Sequence, residues 1–372
     1  SYLFLLHKLT LWQFKLNKIA IMQKLHLLVL ATGSQSHLIK AIEDAGHTYD
    51  VHDPRSIYLF ISESENGYDR VYDGEASLET PVRLKAKSYD AIIPRIGAGL
   101  EYGANVVTHF IENIGIFSTQ TGAGLLTASN KQRTTMKLSS EGIRVPRTIG
   151  AYRPLHPDFL VNKVGGLPAV AKTLTGSQGR GVIILKDEEQ TNTTLEAFWR
   201  DDTPMKLQAY IEGGKRDVRA IIVGDQVVSA MERTGVKDFR ANLSQGGSGR
   251  KVELTDIQKD LCVRASQALG LNFSGVDLMI DEQKKAYVIE VNGNPGTGII
   301  KITGQNHFVD LIRFIEDKVG KESKGTAKFE SPEKAELQKA YLELDRLKME
   351  LVEEKDKCER FKYAYEIVTK GF

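Results

Sequence analysis

The feature that most constrains the fold is an apolar run, a turn and a helix, followed by the same pattern again. Leu25-His26-Leu27-Leu28-Val29-Leu30-Ala31 reads as a buried strand. Thr32-Gly33-Ser34 turns the chain, and His37 to Ala45 reads as a helix stopped by Gly46. Thr48 to His52 is a second strand, broken at Asp53-Pro54. Tyr89 to Pro94 is another, with a helix after it from about Tyr102 to Asn113. Strands alternating with helices predict a parallel sheet of α/β type, here over 25–127.

Beyond this point the pattern turns to α+β. A helix over Asn130 to Glu141 stops at Gly142, and Ala169 to Lys172 is a short strand running into a glycine loop. Lys206 to Ile211 is a further strand. Asp217 to Ile222 and Gln226 to Arg233 form a hairpin around Val223-Gly224-Asp225. Thr255 to Leu269 is a helix with Gly270 as its stop, and Gly275 to Ile280 pairs with Ala286 to Val291 around Asp281 to Lys285. Two lobes result, 128–212 and 213–320.

Both ends depart from this body. Ser1 to Gln23 is apolar and basic, with no acidic residue before Glu43. Residues 1–24 are expected to be a dispensable extension, with a targeting segment as the alternative. His7, Lys8 and Lys15 interrupt the apolar runs too early for a spanning helix, so no membrane partner is expected. Residues 321–332 read as a charged linker. In 333–372, Leu337, Leu344, Leu351, Cys358 and Tyr365 recur every seven residues, with Ala340, Leu347, Phe361 and Val368 on the complementary seam and Glu354 as a polar break. That is a coiled coil joining copies into a homo-oligomer, or one amphipathic helix packed back on its own domain.

Charge and cysteines narrow the class. Fifty Lys and Arg against 48 Asp and Glu give a net charge of +2, so bulk charge gives no reason to expect nucleic acid. Two cysteines, Cys262 and Cys358, make no disulfide framework, which suits a reducing, cytoplasmic setting. The eight histidines lack ligand-like spacing, so zinc is not expected.

Two segments carry chemistry. Lys172-Thr173-Leu174-Thr175-Gly176-Ser177-Gln178-Gly179-Arg180-Gly181 places a cation at a strand end before glycines whose N–H groups can close around phosphate. No Gly-Lys-Ser/Thr follows, so it is not a Walker loop; a plain β-turn is the bland alternative. Asp277 in one strand and Glu290 in its antiparallel neighbour can face one side, and Glu290 shares a face with Asn292. Two carboxylates and an amide oxygen suit Mg²⁺ carried with nucleotide phosphates. Val276, Leu278, Ile289 and Val291 argue against a merely solvated strand face. Lys131, Arg233 and Arg240 are further cations able to neutralise phosphate or hold a carboxylate.

Five runs, in order along the chain, resemble an ATP-grasp ligase of the RimK type. They are Ile93-Pro94-Arg95-Ile96-Gly97, Thr175-Gly176-Ser177-Gln178-Gly179-Arg180-Gly181, Gln208-Ala209-Tyr210-Ile211, Asp238-Phe239-Arg240-Ala241-Asn242 and Glu290-Val291-Asn292-Gly293-Asn294-Pro295-Gly296. The resemblance covers about Lys24 to Val319 and implies a pre-ATP-grasp α/β domain followed by two lobes gripping ATP. It implies nucleotide contacts from Lys131, Lys172, Ser177, Gln178, Gly179 and Gly181, adenine contacts from the backbone of Gln208, Ala209, Tyr210 and Ile211, and ribose contact from Glu212 or Asp217. Asp277, Glu290 and Asn292 would hold two Mg²⁺ or Mn²⁺ ions. Arg240 and Asn242 would lie by the γ-phosphate and acyl phosphate, with Arg233 and Arg95 as candidates for a substrate carboxylate.

The implied activity is amide formation through an acyl phosphate, adding L-glutamate to a protein or peptide C-terminus. A small-molecule or carrier-protein carboxylate is the alternative acceptor. A non-catalytic nucleotide-binding scaffold and a kinase are the other classes. Two residues depart from the family pattern: Ala209 stands where a glutamate is common, and Asn294 where a serine is usual, which bears on the acceptor site.

Overall fold

The computed structural model describes residues 24–61, 70–97, 100–175, 181–212, 216–235 and 248–322. The expected N-terminal extension and heptad tail lie outside the described residues, as do Ser177, Gln178, Gly179, Arg240 and Asn242. Everything below concerns the body His26–Glu316.

β1 (His26–Ala31) runs into α1 (Ser36–Asp44), and β2 (Thr48–His52) returns beside β1. Leu27 to Leu30 are fully buried because helices and loops cover both faces of the sheet, which is why the strand reads as an unbroken apolar run. β3 (Ile57–Leu59), β4 (Val71–Asp73) and β5 (Val82–Arg83) form a separate antiparallel sheet that the sequence pattern did not announce. β6 (Ala91–Arg95), α2 (Glu101–His109) and β7 (Phe117–Ser118) complete the first sheet. Its order is β2-β1-β6-β7, and every pairing is parallel, as the alternation of strands and helices requires. A π-helical turn, Phe110–Ile114, extends α2.

α3 (Gly122–Ser129) leads to α4 (Lys131–Ser140), which starts where the Asn130 side chain accepts the N–H groups of Gln132 and Arg133. β8 (Thr148–Ala151), α5 (Pro157–Val164), β9 (Ala169–Thr173), β10 (Val182–Leu185), α6 (Glu188–Arg200) and β11 (Met205–Ala209) follow. They make an antiparallel sheet in the order β10-β9-β11-β8. Leu160, Leu195 and Phe198 of its helices pack on Ala169, Ala171 and Leu207.

The last lobe contains β12 (Arg216–Val223), β13 (Gln226–Thr234), β14 (Ser248–Lys251), α7 (Asp256–Ala268), β15 (Phe273–Ile280), β16 (Ala286–Asn292), α8 (Gly298–Thr303) and α9 (His307–Glu322). The hairpin turn falls at Gly224-Asp225, where Gly224 takes φ +60°. Thr255 and Gln258 form a capping box at the start of α7, and Gly270 at φ +71° follows its end. The sheet order is β14-β13-β12-β15-β16, antiparallel throughout. Leu261, Cys262 and Ala265 of α7 pack on Val218, Ala220, Ile222 and Val276. One face of the sheet is thereby apolar, and alternation along each strand sends the charged residues to the other.

Candidate functional site

The charged face is built by register. Asp217 of β12 pairs with Arg233 of β13, Arg219 of β12 with Asp277 of β15, and Asp277 with Glu290 of β16. Positions 217 and 219 are two apart, so five charged residues from four strands share one face. β16 carries one extra residue at Ile289, because Asp277 pairs with Glu290 while Leu278 pairs with Val288. Such a bulge bends the strand and re-aims the side chains after it.

Asp277 is almost fully buried and is held by two arginines. Arg219 Nε donates to its Oδ1, Arg219 Nη2 to its Oδ2 at 2.7 Å, and Arg233 Nη2 to its Oδ2 at 2.9 Å. Burial alone would raise its carboxyl, but Arg219 and Arg233 overcome this and hold it at about 2. Arg233 also binds Asp217 through both oxygens, at 2.7 and 2.6 Å. Burial raises the Asp217 carboxyl, with the nearby Asp277 charge adding to it and Arg233 opposing it. Arg233 thus bonds two of the protein's own carboxylates, and Asp217 is held by it, while Glu212 is exposed.

Opposite this face lies a lysine cluster. Lys172 of β9 and Lys206 of β11 are register partners. Lys172 Nζ donates to Gln208 Oε1 at 2.7 Å, and the Gln208 amide donates onward to Thr148 Oγ1 at 3.0 Å. Lys206 Nζ donates to the Lys131 carbonyl at 3.1 Å and Thr135 Oγ1 at 2.8 Å. Burial pushes Lys172 down to about 8, with Glu290 opposing that shift and Lys131 adding to it. Burial pushes Lys206 down to about 6, with Lys172 adding to it. Lys131 is lowered by burial and drawn back by Glu290. Three lysines crowded together describe a site suited to a polyanion.

A metal fits the opposite wall by donor chemistry. Among the described residues no three His, Cys, Asp or Glu come together, and the third hard donor is the amide of Asn292. Asn292 Oδ1 accepts the Asn294 N–H at 2.9 Å and keeps a second lone pair. Asp277 is ionised, and Glu290 and Asn292 are half-buried beside it. Acceptor-only oxygens of this kind suit Mg²⁺ or Mn²⁺.

Arg95 lies at the end of β6. It is buried, donating from Nε to Gln35 Oε1 at 2.9 Å and from Nη2 to the Pro295 carbonyl at 2.9 Å, with Phe273 and Phe308 against its guanidinium. It braces the loop after β16. Ala209 gives its N–H to the Arg147 carbonyl at 2.8 Å. Gly181 sits at φ +71° where the described chain resumes beside Thr173, whose N–H bonds to its carbonyl. Sequence reasoning missed Arg219 and Lys206. Their signal was the alternation Asp217-x-Arg219 and Lys206-x-Gln208, whose meaning depends on cross-strand partners.

The family model of the RimK-like ATP-grasp domain matches residues 128–315, and that of the RimK pre-ATP-grasp domain matches 18–125. A probable alpha-L-glutamate ligase of Psychromonas ingrahamii is 37% identical over 74% of this chain and 88% of its own. Among solved structures, the ATP-grasp ligase PsnB complexed with minimal precursor, Mg and ADP aligns with TM-score 0.60 and 16% identity, over 79% of this chain and 98% of its own. The macrocyclase MdnC of Microcystis aeruginosa, bound with its precursor peptide MdnA, aligns at TM-score 0.57 and 14% identity, over 79% and 99%. The structures share the fold, while the sequence matches carry the family. The chain belongs to the RimK-like ATP-grasp family and is an ATP-dependent carbon–nitrogen ligase.

Proposed function

We propose that this ligase joins L-glutamate to the C-terminal carboxylate of a protein or peptide, using ATP and two divalent ions. The observation carrying this reading is the lysine cluster of Lys131, Lys172 and Lys206 facing the Asp277–Glu290–Asn292 wall. A polyphosphate placed between them meets cations on one side and metal-binding oxygens on the other. The glutamate donor is supported by relatives named probable alpha-L-glutamate ligase, and the peptide acceptor by fold neighbours crystallised with precursor peptides.

In the first step the acceptor carboxylate oxygen attacks the γ-phosphorus, the bond to the bridging oxygen breaks, and ADP leaves. In the second, the glutamate amine attacks the acyl carbon, phosphate departs and the amine loses a proton. Mg²⁺ or Mn²⁺ held by Asp277, Glu290 and Asn292 would supply the charge that lets two anions approach. Lys131 and Lys172 orient the phosphates. Arg219 and Arg233 keep Asp277 ionised and fixed in direction, so the wall is ready before substrate arrives. Tyr210 and Ile211 meet adenine through their backbone, and Glu212 the ribose. By the resemblance, Arg240 would offset the charge of the transferring phosphoryl and Asn242 would lie beside it.

The test is ADP release with ATP, Mg²⁺, each amino acid and a panel of acceptor peptides, read with product mass. Glutamate-dependent ADP release with a glutamyl increment on the peptide supports the reading. ADP release with the increment only on a small-molecule acid replaces the peptide acceptor.

A further inference from the structure

Lys206 is fully buried and stands in β11 between two core residues, Met205 and Leu207. β11 is an inner strand, flanked by β9 and β8. A lysine at such a position carries a desolvation cost that an apolar side chain would not. Its two bonds show where the amine acts. Nζ donates to the Lys131 carbonyl at 3.1 Å and to Thr135 Oγ1 at 2.8 Å, and that hydroxyl donates to the same carbonyl at 2.8 Å. Burial, which lowers Lys206 to about 6, favours a neutral amine with two N–H groups, and both are used. At the other end of the same residue, the Lys131 N–H donates to the carbonyl of Leu174, just past β9, at 2.8 Å. The main chain of Lys131 is thus held on both sides, its N–H by the segment after β9 and its C=O by β11. Helix α4 approaches this closely because residue 150, the partner of Lys206 on β8, is glycine; a Cβ there would run into the Gln132 amide.

We infer that Lys206 is a positioning residue for nucleotide binding: it acts through the main chain of Lys131, fixing the first turn of α4 so that the Lys131 ammonium meets the phosphates from one place. The inference rests on the phosphate placement proposed above. A lysine side chain gives up rotamer freedom when it closes on a ligand, and a Cα that also moves would add to that cost. Anchoring the Cα beforehand removes the added part, which is preorganisation in the usual sense. Lys206 needs no contact with ATP to do this. Its effect on affinity therefore passes through Lys131 and disappears when the Lys131 ammonium is absent.

The experiment is a double-mutant cycle on the full chain, comparing Lys206→Met, Lys131→Met and the pair. Each is read as affinity for a non-hydrolysable ATP analogue with Mg²⁺, alongside the melting temperature without nucleotide. Lys131→Met should weaken the analogue roughly tenfold, as loss of a charge-assisted phosphate contact does. Lys206→Met should weaken it roughly fivefold in the parent chain and less than about twofold in the Lys131→Met background. Its melting temperature should not fall, because methionine fills similar volume without a buried amine. Thr135→Val, which removes the shared hydroxyl, should repeat the pattern with a smaller loss. A general loosening of the lobe would lower affinity alike in both backgrounds, as would a direct contact between Lys206 and phosphate, so equal losses overturn the inference. Unchanged affinity in Lys206→Met alone overturns it as well. Unchanged affinity in Lys131→Met sinks the phosphate placement and this inference together.

Discussion

At the residue scale, Asp277 is the position where catalysis and stability meet. Its sequence context points to a metal ligand. The structure adds Arg219 and Arg233, both bonded to it in a buried setting. Asp277→Asn therefore strands buried guanidinium charge, and breaking such a pair costs about 3–5 kcal/mol. Chemical denaturation should show that loss together with lost activity. Glu290→Gln, half-buried and outside this arginine clamp, should abolish turnover with a much smaller change in stability, and equal losses for the two variants would contradict the clamp. The lysines give a second prediction. Lys206 has fallen from 10.5 to about 6 and Lys172 to about 8, so between those values and 10.5 the unfolded chain holds more protons than the folded one. Stability from these groups rises with pH through that window, and their penalty is complete below it. Bound polyanion favours the charged lysines and raises both values. Calorimetry of ATP binding at pH 7 to 8 should show proton uptake as a dependence on buffer ionisation enthalpy, reduced in Lys206→Met. A binding enthalpy independent of buffer would refute the cluster as the phosphate site.

At the scale of elements, what the sequence showed and what it hid divide by locality. Helix α7 was legible because Thr255, Gln258 and Gly270 are signals within one stretch, and the β12–β13 hairpin because Gly224-Asp225 punctuates two alternating runs. The sheet of β3, β4 and β5 was not, since strands of two or three residues carry too little periodicity to register. Strand alternation and pairing gave Asp277, Glu290 and Asn292 as one set of oxygen donors, which the family resemblance then implied to hold metal. Arg219 and Lys206 stayed hidden because their partners come from other strands, through a register that no local pattern encodes. Element contacts hidden in the same way include the crossing of α2 and α3. A Cβ built on Gly122 would lie 2.3 Å from the Ala104 carbonyl oxygen and 2.1 Å from Thr108 Oγ1. The backbone atom cannot yield without parting the helices. Gly122→Ala should cost about 1–3 kcal/mol of overpacking, measured by urea unfolding. An unchanged unfolding midpoint would show that the helices separate easily.

At the scale of the whole body, the N-terminal sheet holds the metal wall in place. Gln120, just after β7, donates its amide to the carbonyls of Phe273, where β15 begins, and Gly293, just past Asn292. Arg95, at the end of β6, ties the same loop at Pro295. The two strands bearing Asp277, Glu290 and Asn292 are thus gripped from a domain with no metal ligand of its own. Arg95 does this at a thermodynamic disadvantage. Burial lowers it to about 10, its Nη1 has no partner, and among the described residues no carboxylate stands against it. His307, pushed down to about 4 by burial and by Arg95, stays neutral and adds no second positive charge. A buried cation without a paired anion is weak ground for stability, and an apolar replacement of similar volume is often neutral or stabilising. Arg95→Met keeps the stem against Phe273 and Phe308 while removing the charge and the Pro295 hydrogen bond. It should melt at or above the temperature of the parent protein and turn over more slowly, with nucleotide affinity nearly unchanged, because the loop after β16 loses its tether while the lysine cluster keeps its geometry. A steep fall in melting temperature would mean that Arg95 serves the fold. Unaltered stability with impaired turnover would mean that a stabilising apolar contact is forgone here to fix the position of Asn292 and Asn294.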